Sequence, residues 1–459
     1  MGIGWPQGIV KSTPKLHEEP MKKVGTYVPA FILPALLFLM TFAAAQEGSK
    51  RDSERVMVHA GKMLDVRSGK TLTDQAIVIE GGKIVSVGPV AQTHRLSGDR
   101  FVDLPNATVL PGLTDAHTHL TGDPKDVGPH ALTISVPRAT LTGARNARIT
   151  LEAGFTTVRN VGADGYSDVA LRDAINAGDL PGPRMLVSGP PLGITGGHCD
   201  ENELPYDFHF SSEGVADGVG GVQHKVRETI KYGADLIKIC ATGGVLSHGD
   251  NPQASAYTLE ELQAIVTDAH RLGRKVAAHA HGAQGILWAS QAGVDSIEHG
   301  SYIDDAGIAE MKKNGTYLVP TLYLADWFLA NAERLQVPPE LIAKGKEVMP
   351  AARKNIAHAF SSGVKVAFGT DAAVYPHGLN AHEFAVMVKL GLSPLQSIQA
   401  GTINAADLLG WSDKIGAVEP GKWGDIIAVD GDPLQDVTTL ERVKFVMKGG
   451  EVVKNEYGK

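Results

Sequence analysis

No basic stripe runs anywhere through this chain, and its formal net charge is −8. That balance argues against a nucleic-acid or other polyanionic partner. Cysteine is nearly absent. Cys199 and Cys240 are the only two, and their surroundings of strand ends and Gly-rich loops read as two small buried thiols. A single disulfide is the alternative open to an exported chain. A Gly-rich dinucleotide fingerprint is also missing after the first apolar strand of the central region, which weighs against an open doubly wound sheet.

Long apolar runs are absent too, except near the amino terminus. From Met21 the chain reads Met-Lys-Lys, then a mainly apolar run over residues 28–42, then Ala43-Ala44-Ala45 before Gln46. A basic start, an apolar middle and an Ala-x-Ala site are the parts of a secretory signal in their usual order. Pro29 and Pro34 interrupt the run, and polar residues 46–50 follow without a stop-transfer pattern, which disfavours a membrane-spanning helix. Residues 1–45 therefore read as a removable leader, with 1–20 an upstream extension and Met21 the natural start. Its loss takes away 4 basic and 2 acidic residues and moves the charge from −8 to −10. The expected location is secreted or periplasmic, with no stable membrane anchor after processing.

What is present is an ordinary globular composition, 43% hydrophobic and 20% charged, with 53 Gly and 25 Pro for many short turns. Residues 55–66, 74–80 and 83–88 alternate apolar and polar side chains, with Gly81-Gly82 as a hairpin signal. The carboxyl end repeats the style over 424–430, 443–448 and 451–454, with Gly449-Gly450 between the last two. Residues 46–108 and 413–459 are thus expected to form one small β-sandwich domain from both chain ends.

Between them, residues 109–412 alternate apolar strands with helical stretches such as 213–232, 259–272 and 381–390. Eight strands are expected, over 109–117, 156–161, 184–188, 235–240, 275–279, 296–299, 317–322 and 365–370. That count and length suit a (β/α)8 barrel, whose domains typically run to ~250 residues.

The chemistry-bearing residues sit at the carboxyl ends of those strands. His117 and His119 end the first, and side chains two apart on a strand share a face. His279 and His299 close two others, and Asp371 follows Phe368-Gly369-Thr370. Any one of them alone reads as a satisfied core residue. Five at matching strand ends point to a site for zinc or another divalent transition metal. Lys238 is the odd residue, an ammonium in the apolar strand Asp235-Leu236-Ile237-Lys238-Ile239-Cys240, where desolvation is costly. It reads either as a strand-edge lysine reaching water or as an N-carboxylated lysine whose carbamate bridges two metals.

With those motifs, Pro111-Gly112-Leu113-Thr114-Asp115-Ala116-His117-Thr118-His119 and Glu419-Pro420-Gly421-Lys422-Trp423-Gly424-Asp425, the chain resembles the amidohydrolase superfamily in its two-metal subtype. Ala277-Ala278-His279-Ala280-His281-Gly282 and Ser296-Ile297-Glu298-His299-Gly300 look most like its imidazolonepropionase-like group. That group includes Xaa-Pro-type dipeptidases and ochratoxin-hydrolysing amidohydrolases. The resemblance implies that His117 and His119 bind a buried metal ion, His279 and His299 an exposed one, with Lys238 bridging both as a carbamate and Asp371 contacting the buried site.

It further implies hydrolysis of a dipeptide or N-acyl amino acid by a metal-bridging hydroxide, with Asp371 as general base and then general acid. His198, His281 and Arg159 are candidates for reading the substrate, Arg159 having a barrel-wall ion pair as its equal alternative. Tyr257 and Tyr323 are weaker pocket candidates, and His94, His224 and His358 read as solvated. Two rivals remain: a cyclic-amide hydrolase of the imidazolonepropionase type, and a barrel that binds without turnover. A one-metal deaminase is disfavoured by Lys238. A homo-oligomer is expected.

Overall fold

The computed structural model describes residues 55–458, apart from Val127. The leader, residues 1–45, lies outside the described residues. Within them no helix is long and apolar enough to cross a membrane.

The amino-terminal segment folds as β1 (Val56–Asp65), β2 (Lys70–Glu80), β3 (Lys83–Pro89) and β4 (Arg100–Pro111). The centre supplies β5 (Leu113–Thr118), β6 (Phe155–Asn160), β7 (Arg184–Val187), β8 (Leu236–Cys240), β9 (Lys275–Ala280), β10 (Ser296–His299) and β11 (Tyr317–Val319). The carboxyl end adds β12 (Ile426–Val429), β13 (Phe445–Lys448) and β14 (Glu451–Asn455).

Both chain ends do share one structure: a seven-stranded sheet in the order β14-β13-β12-β4-β1-β2-β3. It is one continuous ladder, not the two separate sheets of a sandwich. Val58, Ile77, Ile79, Leu104, Ala428 and Phe445 pack into a common apolar cluster on it. The two Gly-Gly hairpins stand where the sequence placed them, joining Glu80 to Lys83 and Lys448 to Glu451. Both glycines of each turn have positive φ, 56° and 76° in one and 57° and 79° in the other, as the right-handed strand twist requires.

One expected strand is in fact two. The segment 109–117 divides at Gly112, whose N–H goes to Asp425 O (2.9 Å), while the next N–H, of Leu113, goes to Gly154 O (3.0 Å). The chain passes from the mixed sheet to the parallel one across that single residue. A Cβ on Gly112 would lie 2.1 Å from Thr156 Oγ1, so no larger residue fits the crossing. The small sheet accordingly extends to Pro111 rather than ending at 108.

The central strands form two parallel sheets, β5-β6-β7 and β11-β10-β9-β8, with intervening helices as expected. The regions read as helical over 213–232, 259–272 and 381–390 contain helices Gly218–Lys231, Leu259–Arg271 and His382–Lys389. Single bridges continue the ladder between sheets. Leu192, after β7, exchanges bonds with β8 through Lys238 O and Cys240 N, both 2.8 Å. The segment expected as an eighth strand over 365–370 is not a regular strand. It touches β11 at Leu318↔Val366 and β5 at Thr118↔Ala372. Beyond it Asp371 and Ala373 take positive φ, 59° and 127°, so the backbone leaves the extended region at the residue that carries the carboxylate.

Candidate active site

Every residue of β8 and β10 is buried, as strands covered on both faces should be. Their polar members must therefore find partners inside. Glu298 finds three, accepting from His117 Nδ1 (2.7 Å), Arg159 Nη2 (2.8 Å) and Ser296 Oγ. Burial pushes its carboxyl up, but Arg159 and His117 outweigh this and hold it at about 2.

The ionised Glu298 orients His117: a carboxylate only accepts, so Nδ1 donates to it and Nε2 is turned toward Asp371. His119 Nδ1 faces Gly162 O at 3.2 Å, which turns its Nε2 toward the same carboxylate. Both Nε2 atoms converge on Asp371 Oδ1, at 3.4 and 3.2 Å. Three metal-type donor atoms thus converge, an arrangement that could hold a cation. His117, His119 and Asp371 are the group of metal-type donors gathered within 4.8 Å of one another. Each imidazole is oriented from behind by a hydrogen bond, as metal-binding histidines usually are.

Around this trio the other imidazoles form a contiguous wall. His117 lies 5.0 Å from His299, His299 lies 4.7 Å from His279, and His198 stacks on His279 at 4.2 Å, centroid to centroid. His299 Nδ1 is paired with Thr321 Oγ1 and His281 Nδ1 with Ser301 Oγ, each at 2.7 Å. His279 is held the other way, Nε2 toward Gly243 O at 3.3 Å, so its Nδ1 is the open nitrogen. Burial drives His279 and His299 well below the ordinary imidazole value, His198 to about 4 and His281 to about 3. The neutral form that this favours is the one that can ligate a metal. His299, Thr321 and Asp371 all have left-handed backbone, at φ 70°, 47° and 59°, a cost of about 1–3 kcal/mol each that clusters at sites of this kind.

Lys238 shares the cavity wall with these histidines and is 4% exposed. Among the described residues none offers its amine a hydrogen bond or ion pair. Burial pushes its ammonium down to about 8, against the nearby Glu298 and Asp371 carboxylates that raise it. Asp371 is held well below the usual carboxylate range, burial being outweighed by His117 and His119. Lys238, His279 and His299 line the same cavity as the trio but stand outside its 4.8 Å cluster.

Arg159 does not line the cavity. Its guanidinium is spent on Ala116 O (2.5 Å), Ser296 Oγ (3.0 Å) and Glu298, so the ion-pair alternative holds and the substrate-reading one is corrected. Tyr257 is 1% exposed in the core, and Tyr323 stacks on His382; neither faces the cavity. His94, His224 and His358 are exposed as expected. Sequence reasoning missed Glu298, although the signal was there: a carboxylate in a central strand covered on both faces needs a partner just as Lys238 does.

The two cysteines correct another expectation. They are joined as a disulfide, with Cα atoms 6.0 Å apart, because the loop after β7 folds back over the end of β8. The bond fixes His198, next to Cys199, beside the strand that carries Lys238. On the other side His198 Nδ1 meets Ser247 Oγ (2.8 Å), itself bonded to Asp250 at 2.8 Å. The bridge spans 41 residues, so Cys199→Ser with Cys240→Ser is expected to lower stability by about 2–4 kcal/mol. Urea denaturation checks this, and an unchanged midpoint would show that the loop is held without the bond.

Comparison with known proteins follows from this geometry. The amidohydrolase family model matches residues 108–453. Ochratoxinase from Aspergillus niger is 33% identical over 475 aligned positions, covering 97% of this chain and 96% of that enzyme. The crystal structure of a Xaa-Pro dipeptidase with methionine bound in its active site matches with TM-score 0.82 and 38% identity, covering 88% of this chain and all (100%) of that one. The A. niger ochratoxinase structure gives TM-score 0.80 at 32% identity, covering 88% and 97%.

Proposed function

The chain belongs to the amidohydrolase family and is a hydrolase of amide bonds, and from that premise we propose that it cleaves dipeptides or N-acyl amino acids bearing a free carboxylate, ochratoxin among them. The convergence of His117 Nε2, His119 Nε2 and Asp371 Oδ1 carries this reading. The names of the similar proteins, ochratoxinase and Xaa-Pro dipeptidase, support the substrate class. The framework we infer is a closed (β/α)8 barrel over 109–412, completed through the single bridges at Leu192, Val366 and Ala372.

The donor set fits two divalent ions, and imidazole with carboxylate suits zinc. His117, His119 and Asp371 would hold one, and His279 and His299 the other. The Lys238 amine, lacking a partner and partly in its free-base form, would add to carbon dioxide and lend both ions a carbamate oxygen. Bound there, the ions would acidify a water and polarise the scissile carbonyl. Asp371 takes the proton of the attacking water and returns it to the leaving nitrogen. Glu298 keeps His117 in the tautomer that faces the cavity. His281 and His198 line the cavity beside His279 and hydrogen-bond the substrate's oxygens.

Turnover of a dipeptide and N-acyl amino-acid panel, ochratoxin included, tests the reading when metal content is measured on the same sample. Bound metal without turnover of any member would favour a binding protein instead. Export is proposed with it: the mature chain is expected to begin at Gln46, and amino-terminal sequencing of exported protein that retains residues 21–45 would overturn this.

A further inference from the structure

A substrate with a free carboxylate needs a cation, and the proposed reading, on which this inference rests, assigns none to it. The cavity, about 250 Å³, has two ends. One is the wall of histidines. The other is apolar and is made by two facing helices, Tyr323–Asn331 and Pro339–Ser361. Leu324 and Phe328 face it from the first, and Val348, Met349 and Ala352 from the second. Residues 345, 348, 349 and 352 follow the i, i+3, i+4, i+7 spacing of one helix face, and Arg353 is the next lining residue on that face.

Among the described residues Arg353 carries the one guanidinium on the cavity wall, and the one lysine there, Lys238, stands among the histidines. Its partner is Asp326 Oδ1, on the facing helix, reached through a single Nη2. A guanidinium has five N–H donors in a planar fork that suits two carboxylate oxygens at once. One donor is used, and the arginine remains 33% exposed, so the fork is open to a second carboxylate. Asp326 itself does not line the cavity and does not block the approach from within it.

We propose that Arg353 is the carboxylate receptor of the site, and that Leu324, Phe328 and Met349 beside it receive a large apolar side chain. The preferred substrate is then an amide whose leaving amino acid has a free carboxylate and an aromatic or long aliphatic side chain. Specificity in this scheme has two independent parts. The fork selects the charged terminus, and the helix faces select the side chain next to it.

The test uses the metal-loaded enzyme with alanyl-phenylalanine and its carboxamide. Wild type should favour the acid, and Arg353→Met should lose about 10–100-fold in kcat/KM on the acid, chiefly in KM. Its rate on the carboxamide should be unchanged, and Arg353→Lys should recover part of the loss. Asp326→Asn breaks the helix-to-helix pair but keeps the fork, so acid turnover should persist. Equal loss on both substrates, or the same loss in Asp326→Asn, would show that the arginine only ties the helices together and would overturn the proposal. Calorimetry of phenylalanine and phenylalaninamide reads the receptor without turnover. Wild type should bind the acid at least about 10-fold more tightly than the amide, a preference that Arg353→Met abolishes. An acid preference in binding with no hydrolysis would retire the hydrolytic reading and keep the receptor, while no preference would retire the receptor alone.

Discussion

Lys238→Ala is expected to abolish metal binding and turnover together. The side chain sits in an apolar strand, 4% exposed, with no hydrogen bond from any described residue, and an unpaired buried ammonium costs several kcal/mol. Such an arrangement persists when the group does something that a neutral residue cannot. In the proposed scheme a carbamate on this amine would lend an oxygen to an ion held by His117 and His119 and to one held by His279 and His299, so its loss would remove a ligand from both at once. Lys238→Met is the packing control, since it keeps most of the volume without the amine. Both variants should fold, and both should bind less metal by elemental analysis. Formate or acetate should restore part of the activity to Lys238→Ala, because a short carboxylate can enter the space the side chain leaves. Full activity without any added acid would remove the bridge from the scheme.

The parts of this site that were legible in the sequence are those written in local patterns. His117 and His119 are two apart on one strand, and His299 closes a strand whose bounds, Ser296–His299, agree with the expected ones. The Gly-Gly hairpins were legible because positive φ at two successive residues nearly demands glycine. What escaped depended on contacts distant in sequence. Glu298 meets His117 across 181 positions, and nothing in its tetrapeptide names that partner. Cys199 and Cys240 lie in different βα units, so their bond follows from how the loop after β7 folds. Arg159 looked like a strand-end binding residue, and only the position of Glu298 behind it shows where its charge is spent. Regular periodicity also hid the irregular segments. Gly112 splits an apparently continuous strand, and Asp371 leaves the extended conformation at the end of another. The departure at Asp371 is instructive because local rules give way where backbone strain aims a functional group.

Asp371→Asn is expected to fold, to keep the wall of histidines and to lose on the order of 10²–10⁴-fold in turnover, the usual size of a general acid–base contribution. The exchange is nearly isosteric. Asp371 N to His117 O, at 2.8 Å, is a backbone bond that the substitution leaves in place, and left-handed backbone is tolerated by asparagine. Oδ1, by contrast, lies within 3.4 Å of both His117 Nε2 and His119 Nε2, and an amide there cannot accept a proton at neutral pH. Charge is lost together with basicity, so metal content must be read on the same sample to separate weaker binding from slower proton transfer. His281→Asn supplies the contrast. His281 lines the cavity with its Nδ1 tied to Ser301 and is assigned to substrate rather than to metal in the proposed scheme, so KM or kcat should shift while metal content is kept. Raising pH should not rescue Asp371→Asn, since no group at that position is left to titrate. A variant with normal metal content and near-normal kcat would remove Asp371 from proton transfer, leaving it as a ligand only. The proton would then have to be carried by another group at the cavity wall, and His198, which lines it, would take the same substitution and the same two measurements.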